Sequence, residues 1–543
     1  MVRKFSKFIL AIVFILLMLI NISNVANENM QSTKEENISL KELTIDEKLE
    51  DFNYLYDTFL KNYPYFQVQK DKLGIDWEKN KNEFKGKVLN TTSNEEFYKA
   101  LNEILNSLQN IHTDIIHPGN LQNTRDAFNS TSFNQWKNIL NNKEIIEKNK
   151  QWQSLIAKNT NSLMEQIIPV AFYYVEGKYL AYDIGYVDCE SFGIKKGEEL
   201  IAVNNIPIDE YINKKVMSEK VKYDFSRKKP YLSYLTFKEA FSFNIKLEVK
   251  GNDGIREVSL NSNYYDEINY EINGINSKDN LFLDKDEGKK LGYIAIKSFY
   301  YGNIEKDKQK INNFYNEIED YKTLIIDIRG NGGGAESYWT DLLVAPLITK
   351  ELSYKYNAIY RDGQYIKPFI EERIGKKIKK LKNKNSKKVN EKLNGVFDEI
   401  GKGFSHYKEF KYDVKPSKEK INFKGKIYLI VNDEVYSAAE SFSIFSKATG
   451  FATLVGSTTG GDGIGIDPIL LPLSNSGLIV RFPAEVGVSP DYTINEKSHT
   501  SPDIFVEQKI KDFVDRLNWQ KKNKNDRISP YDNVVSTLLD ICN

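Results

Sequence analysis

Ser437 stands where the apolar run IYLIVND gives way to a helical-looking stretch, within VNDEVYSAAESFSIF at residues 431–445. Two chemistries ask for nearly that sequence. In a capping box the serine hydroxyl accepts the backbone N–H of Glu440, and the Glu440 carboxylate accepts the N–H of Ser437. In a nucleophile at a strand-to-helix turn, Oγ must stand exposed at the end of a sheet, beside a helix N-terminus whose unpaired N–H groups can stabilise an oxyanion. The rest of the chain has to decide between them. A nucleophilic serine needs a base, and the chain has only four histidines, at 112, 117, 406 and 499. It also needs oxyanion donors. The turn Gly332-Gly333-Gly334 after TLIIDIR lets backbone N–H groups approach a developing charge where no side chain would fit, with Ala438 N–H as the natural second donor. A tight turn plus a helix start explains one or two glycines easily and three in a row less well.

The elements that must position these groups follow from hydrophobic periodicity. From about Leu40 to Leu163 the pattern is helical; in SNEEFYKALNEILNSLQNIHTD, Phe97, Leu101, Ile104, Leu105 and Leu108 recur at three- and four-residue spacings. Ser93 and Glu96 form a capping box there, so His112 falls just past the helix end. From about Ile167 to Leu260 the pattern shifts to short strands, VAFYYVEGKYLAYDI, ELIAVNN and FNIKLEVKG. After Lys289 strands and helices alternate: LGYIAIKSF, a helix near 304–320, TLIIDIR, the glycine turn, a helix from about Glu336, and later KGKIYLIVND, ATLVG and the hairpin DPILLPLSNSGLIVRFPAEVG. Strands apolar almost throughout and separated by helices imply buried, mostly parallel pairing. The carboxyl ends of such strands border the functional crevice, and both the glycine turn and Ser437 follow strands of this kind.

At 543 residues, 41% of them hydrophobic, the chain is long enough for about three or four domains. The 76 basic and 75 acidic residues leave a net charge of +1, which gives no field arguing for nucleic acid. Arg3, Lys4 and Lys7 precede or open an apolar run from Phe8 to Ile20, the pattern of an export signal. That run is shorter than the roughly 20 residues of a membrane span. Asn24-Val25-Ala26 makes a weak cleavage site, so an uncleaved anchor and membrane association through this segment stay open. The protein is therefore expected outside the cytoplasm, secreted or anchored to the outer face of the cell membrane. Cys189 and Cys542 allow one long-range bridge but neither a disulfide framework nor a zinc site. Between about Glu351 and Glu419 the α/β alternation is interrupted, and KKIKKLKNKNSKK at 376–388 carries eight lysines in thirteen positions. A solvated insertion is the first reading of this segment and a basic groove the second.

LIIDIRGNGGG, VYSAAESF, VGSTTGGDG, SNSGLIVRFPAEVG and NEKSHTSPDI stand in the order of the C-terminal processing (tail-specific) and tricorn-type serine proteases, which the chain resembles. SNEEFYKALNEILNSLQNIHT looks like that family's amino-terminal helix and histidine segment, and GIKKGEELIAVNNIPI is similar to its PDZ-type module. The likeness runs from about residue 90 to 505 and excludes the lysine-rich insertion. It implies an α/β (α+β multidomain) fold with a crotonase/Clp-like catalytic core, an N-terminal helical domain and a PDZ-like module. The boundaries expected are a signal peptide or anchor at 1–26, a helical domain at 27–163, a PDZ-like domain at 164–270 and a protease core at 285–543, with the insertion at 351–419.

In the processing branch a lysine about 25 residues after the nucleophile, in a Thr-x-Gly-Lys-Gly turn, is the base. Here that turn reads Thr459-Gly460-Gly461-Asp462-Gly463, which excludes a Ser–Lys dyad at that position. Lys447 reads as a surface lysine. The tricorn-type branch uses a histidine and a glutamate, and the resemblance carries these roles to His112 and Glu496. Asn110 and Ile111 replace the usual Asp and Gly before the histidine, and Ser498-His499-Thr500 replace a Gly-Val-like pair after Glu496. His499 and His117 remain rivals for the base. An imidazole suits proton transfer near neutral pH, and a carboxylate would hold its tautomer. The resemblance implies an exported serine endopeptidase: Ser437 as nucleophile, His112 as base, Glu496 orienting it, and Gly332, Gly333 and Ala438 around the oxyanion. Glu440 is read as the capping partner of Ser437. No cofactor and no metal is expected, and the partners are protein or peptide substrates, a substrate segment binding the PDZ-like module by strand addition. A non-catalytic relative that binds a peptide or apolar ligand in the same crevice is the alternative. Acyl-CoA chemistry is disfavoured by the export signal.

Overall fold

The computed structural model describes residues 40–542, apart from 163–165, 168–169, 184–188, 240–243, 262–279, 381, 385–390, 514 and 516–531. The expected export segment and its cleavage site lie outside the described residues, as do lysines 387 and 388 of the basic run. Among the described residues no helix is long and apolar enough to cross a membrane.

The expected α/β alternation after Lys289 builds a six-stranded sheet. Leu281–Asp286 runs antiparallel to Leu291–Ile296, and Leu291–Ile296, Thr323–Asp327, Lys426–Val431, Thr453–Gly456 and Ile504–Phe505 follow in parallel. Thr323–Asp327 is buried at every position, as a parallel strand covered on both faces must be. One face packs the helices Ile304–Glu317 and Ala438–Thr449 around Ile326, Leu429, Phe442 and Phe445. The other packs the C-terminal helix Asn533–Cys542 on Ile325, Ile430 and Val455. Cys189 and Cys542 are both thiols, so the long-range bridge that the sequence left open does not form.

The segment after Glu351 does more than interrupt. Leu352–Arg361 and Phe404–Val414 pair antiparallel along nearly their whole length, and Glu485–Val488 joins the outer edge of Leu352–Arg361. The period-two burial of Phe404–Val414 was present in the sequence but masked by Lys408, Glu409, Lys411 and Asp413.

Residues 45–162 are helical as expected, from Ile45–Asn62 to Lys143–Ser162. They do not form a core apart. Phe52, Phe59, Leu101 and Trp136 share one buried cluster with Ile359, Phe369, Leu471, Val480 and Phe482 of the catalytic region. Phe59 and Phe482 rings lie 4.7 Å apart, and Trp136 Nε1 donates to Pro468 O at 2.8 Å. The segment 170–261 instead closes around its own cluster, with Phe172, Ile194, Leu200, Leu247 and Val249 inside a strand-rich unit.

Candidate active site

Three loops leave the carboxyl ends of neighbouring parallel strands, after Asp327, Val431 and Gly456, and backbone hydrogen bonds tie them together. Tyr436 N–H donates to Asn331 O at 3.2 Å, Ser437 N–H to Gly461 O at 3.3 Å, and Gly460 N–H to Val435 O at 2.7 Å. Ser437 sits at this junction with φ 57° and ψ −123°, a strained conformation for a residue with a Cβ. The strain turns its side chain out of both strand and helix, as a strand–turn–helix nucleophile requires. The Ser437 hydroxyl makes no hydrogen bond among the described residues, and it does not cap the helix it precedes.

The capping box expected of Ser437 and Glu440 is therefore absent. Glu440 is wholly buried, and its Oε1 accepts Asn495 Nδ2 at 2.7 Å and Thr500 Oγ1 at 2.6 Å. Tertiary partners 55 and 60 residues away captured the carboxylate that the local motif would have used. The box at the helix Asn94–Asn106 half forms: Ser93 Oγ accepts Glu96 N–H at 3.2 Å, while the Glu96 carboxylate takes Thr92 N–H at 2.6 Å.

Gly333 lies against the nucleophile. A Cβ there, at φ +97°, would stand 2.7 Å from Tyr436 O and 2.8 Å from Ala438 N. Gly333 N–H donates to Asn331 Oδ1 at 2.9 Å, so it is not available to an oxyanion. Its contribution is the space it leaves, which differs from the donor role expected of it. Gly332 N–H and Ala438 N–H have no partner among the described residues. Asn331, buried, anchors the turn by donating from Nδ2 to Ile296 O at 3.2 Å.

His112 is delivered by a strand pairing that spans most of the chain. Asp114–Ile115 pairs antiparallel with Ile479–Phe482, and the Asp114 carboxylate takes Arg481 Nε and Nη2 at 2.6 and 2.8 Å. The His112 ring packs 4.9 Å from that of Tyr436, the residue before Ser437. His112 Nδ1 lies 2.8 Å from Asp462 Oδ2, and its other ring nitrogen has no partner among the described residues. Here the structure departs from the expected pairing with Glu496. Asp462 also takes Tyr436 OH at 3.0 Å and Asn110 Nδ2 at 3.0 Å. Glu496 is linked to the histidine indirectly: Asn110 Nδ2 donates to its Oε1 and to Asp462 Oδ2, both at 3.0 Å, and Asp462 meets His112. Burial works against the charge on Asp462, but His112 and the two donors, Asn110 and Tyr436, hold its carboxyl below the usual range. Burial, then the charge of Asp462, pushes Glu496 well above it.

The rival histidines are engaged elsewhere. His117 Nδ1 accepts Gly119 N–H at 3.1 Å in its own turn, and His406 lies on the strand Phe404–Val414 beside Ser405 and Asp362. His499 Nδ1 sits 2.7 Å from Thr459 O and its Nε2 3.0 Å from Lys72 Nζ; burial, then the charge of Lys72, drives it well below the ordinary imidazole range. Lys447 binds Ser501 O at 2.6 Å, away from the serine.

Three residues of the network were not assigned roles from sequence. Asp462 and Asn110 were visible only as departures from the family pattern, a carboxylate in place of the lysine and an amide in place of an acid. That paired exchange was the available signal. Tyr436 carried none.

Residues 290–506 match the family model of peptidase family S41, and residues 164–272 match that of a PDZ domain. The chain is a serine peptidase with a family S41 domain. Its S41 domain contains Ser437, Asp462 and Glu496, and His112 lies ahead of it. Two solved structures share the fold: mature CPAF (TM-score 0.52, 13% identity, covering 89% of this chain and 99% of that one) and mature CPAF in complex with lactacystin (TM-score 0.51, 14% identity, covering 88% and 98%). No curated protein sequence matches the chain. Between the PDZ unit and the S41 domain lies a cavity of about 830 Å³, with Tyr174, Phe225, Arg329, Asn432 and Glu434 on its walls. Phe225 packs 4.9 Å from the His499 ring, which lies against Gly461.

Proposed function

We propose that this peptidase is an endopeptidase acting outside the cytoplasm through Ser437, His112 and Asp462. Ser437 Oγ attacks the scissile carbonyl carbon and its proton passes to His112 Nε2. The tetrahedral oxyanion is held by Ala438 N–H with Gly332 N–H. Collapse expels the amine, which takes the proton back from His112, and water repeats the cycle on the acyl-enzyme. Asp462 fixes the tautomer that presents Nε2 and stabilises the imidazolium. The observation that carries this reading is the 2.8 Å contact of His112 Nδ1 with Asp462, together with a strained Ser437 whose hydroxyl has no partner among the described residues. Export rests on the cationic and apolar pattern of residues 3–20. Peptide segments would enter along the PDZ unit, which suits strand addition.

The test is fluorophosphonate labelling together with cleavage of an unfolded protein. Wild type should label and cleave, while S437A, H112A and D462N should do neither at comparable rates. A folded wild type that resists the probe would sink the reading and leave a peptide-binding relative. N-terminal sequencing of the secreted protein tests export.

A further inference from the structure

Two carboxyl groups stand behind His112, and the structure treats them differently. Asp462 Oδ2 accepts from Asn110 and Tyr436 and contacts His112 Nδ1, at 3.0, 3.0 and 2.8 Å. Among the described residues Glu496 Oε1 accepts only from Asn110, and Glu496 Oε2 is buried without a partner. Both side chains are nearly closed off, with Glu496 5% and Asp462 8% exposed. Asn110 is fully buried and fixed by Thr113 Oγ1, which donates to its Oδ1 at 2.9 Å. One amide nitrogen thus serves both carboxyl groups.

Two buried carboxylates that share a donor cannot both carry charge cheaply; the charge stays where the donors are and the proton goes to the other group. The titratable groups facing Glu496 are Asp462, Lys72, Lys220, Tyr63, Tyr65, Tyr436 and His499. Neither lysine is within ion-pair distance. Lys72 Nζ is turned to His499 Nε2 and Lys220 Nζ donates to Thr113 O at 2.7 Å.

Resting on the peptidase reading above, we propose that Glu496 is a positioning residue that stands in the site as a neutral carboxylic acid, clamped through Asn110 to Asp462. One negative charge then faces His112. A second would favour the imidazolium before substrate arrives and so remove the base.

The full chain is labelled with a fluorophosphonate from acid to alkaline pH, and the labelling rate is followed in wild type and variants. Glu496→Ala should lose about tenfold or more through displacement of Asp462. Glu496→Gln, which copies the neutral acid, should restore the rate to within about threefold. Its acid limb should stay within about 0.3 pH unit of wild type, whereas removal of a full charge would move that limb down by about one unit or more. Such a move, or a Gln variant as slow as D462N, overturns the proposal. Infrared difference spectra of wild type minus E496Q at neutral pH give a readout independent of activity. The carbonyl band of a protonated carboxylic acid is expected, and a carboxylate band in its place overturns the proposal even if no variant labels. A folded wild type that shows the acid band but never labels would sink the peptidase reading alone.

Discussion

At Ser437 the backbone carries a cost that chemistry explains and stability does not. Its φ of 57° with ψ −123° suits glycine. S437G should therefore unfold at higher temperature than S437A, by about 1 kcal/mol, although both abolish turnover; equal melting temperatures would remove the strain argument. At Asp462 the expected loss is catalytic. D462N leaves Asn110 and Tyr436 contacts largely intact but no longer fixes the imidazole tautomer, so kcat should fall by about 10²–10⁴ with KM little changed. A steady-state comparison checks it. These residues also mark the limit of local reading. Ser93 capped its helix as its neighbours dictate, because the N–H it accepts lies three residues away. Ser437 and Glu440 obey the same spacing, yet Asn495 and Thr500 take the glutamate.

The loop 459–467, which carries Asp462, is held as an element between two buried carboxyl groups, Glu440 and Glu485. Gly463 abuts Glu440, and Glu485 Oε1 accepts Ile466 N–H at 2.5 Å. Burial pushes Glu485 up to about 8 from the ordinary 4.5. Its folded-state pKa is above the unfolded value, so the contribution it makes is fully present below about pH 4.5 and is lost as pH rises through about 8. E485Q should flatten that decline, by on the order of a few kcal/mol at the alkaline end, in denaturant melts across this window. An unchanged slope would show that Glu485 is already ionised. The glycine turn is the facing element. G333A places a Cβ against Tyr436 O and Ala438 N, and it should cost about 2–4 kcal/mol together with most of the activity. If G333A melts and turns over like wild type, the turn has room that its geometry denies.

Over the whole molecule, the helical region and the S41 domain are one body while the PDZ unit has its own core. Residues 290–506 expressed alone would expose Leu471, Val480 and Phe482, which pack against Phe52, Phe59 and Leu101. That fragment should lack a cooperative unfolding transition, whereas residues 164–272 should melt cooperatively, as calorimetry of both fragments would report. The amino-acid sequence by itself determined the element types, the mostly parallel pairing of strands such as TLIIDIR and KIYLIVND and the glycine turn, because periodicity and turn chemistry act over a few residues; it offered Ser437 as a candidate nucleophile, and His112 as its proposed base came from the family resemblance. Only the tertiary structure decided which carboxylate meets the imidazole. That choice depends on Asp114–Ile115 pairing with Ile479–Phe482 and on Gly460 bonding to Val435, contacts between segments hundreds or tens of residues apart. Two acids of similar character stood in the sequence, and the number of hydrogen-bond donors that folding brought to each made Asp462 the charged one.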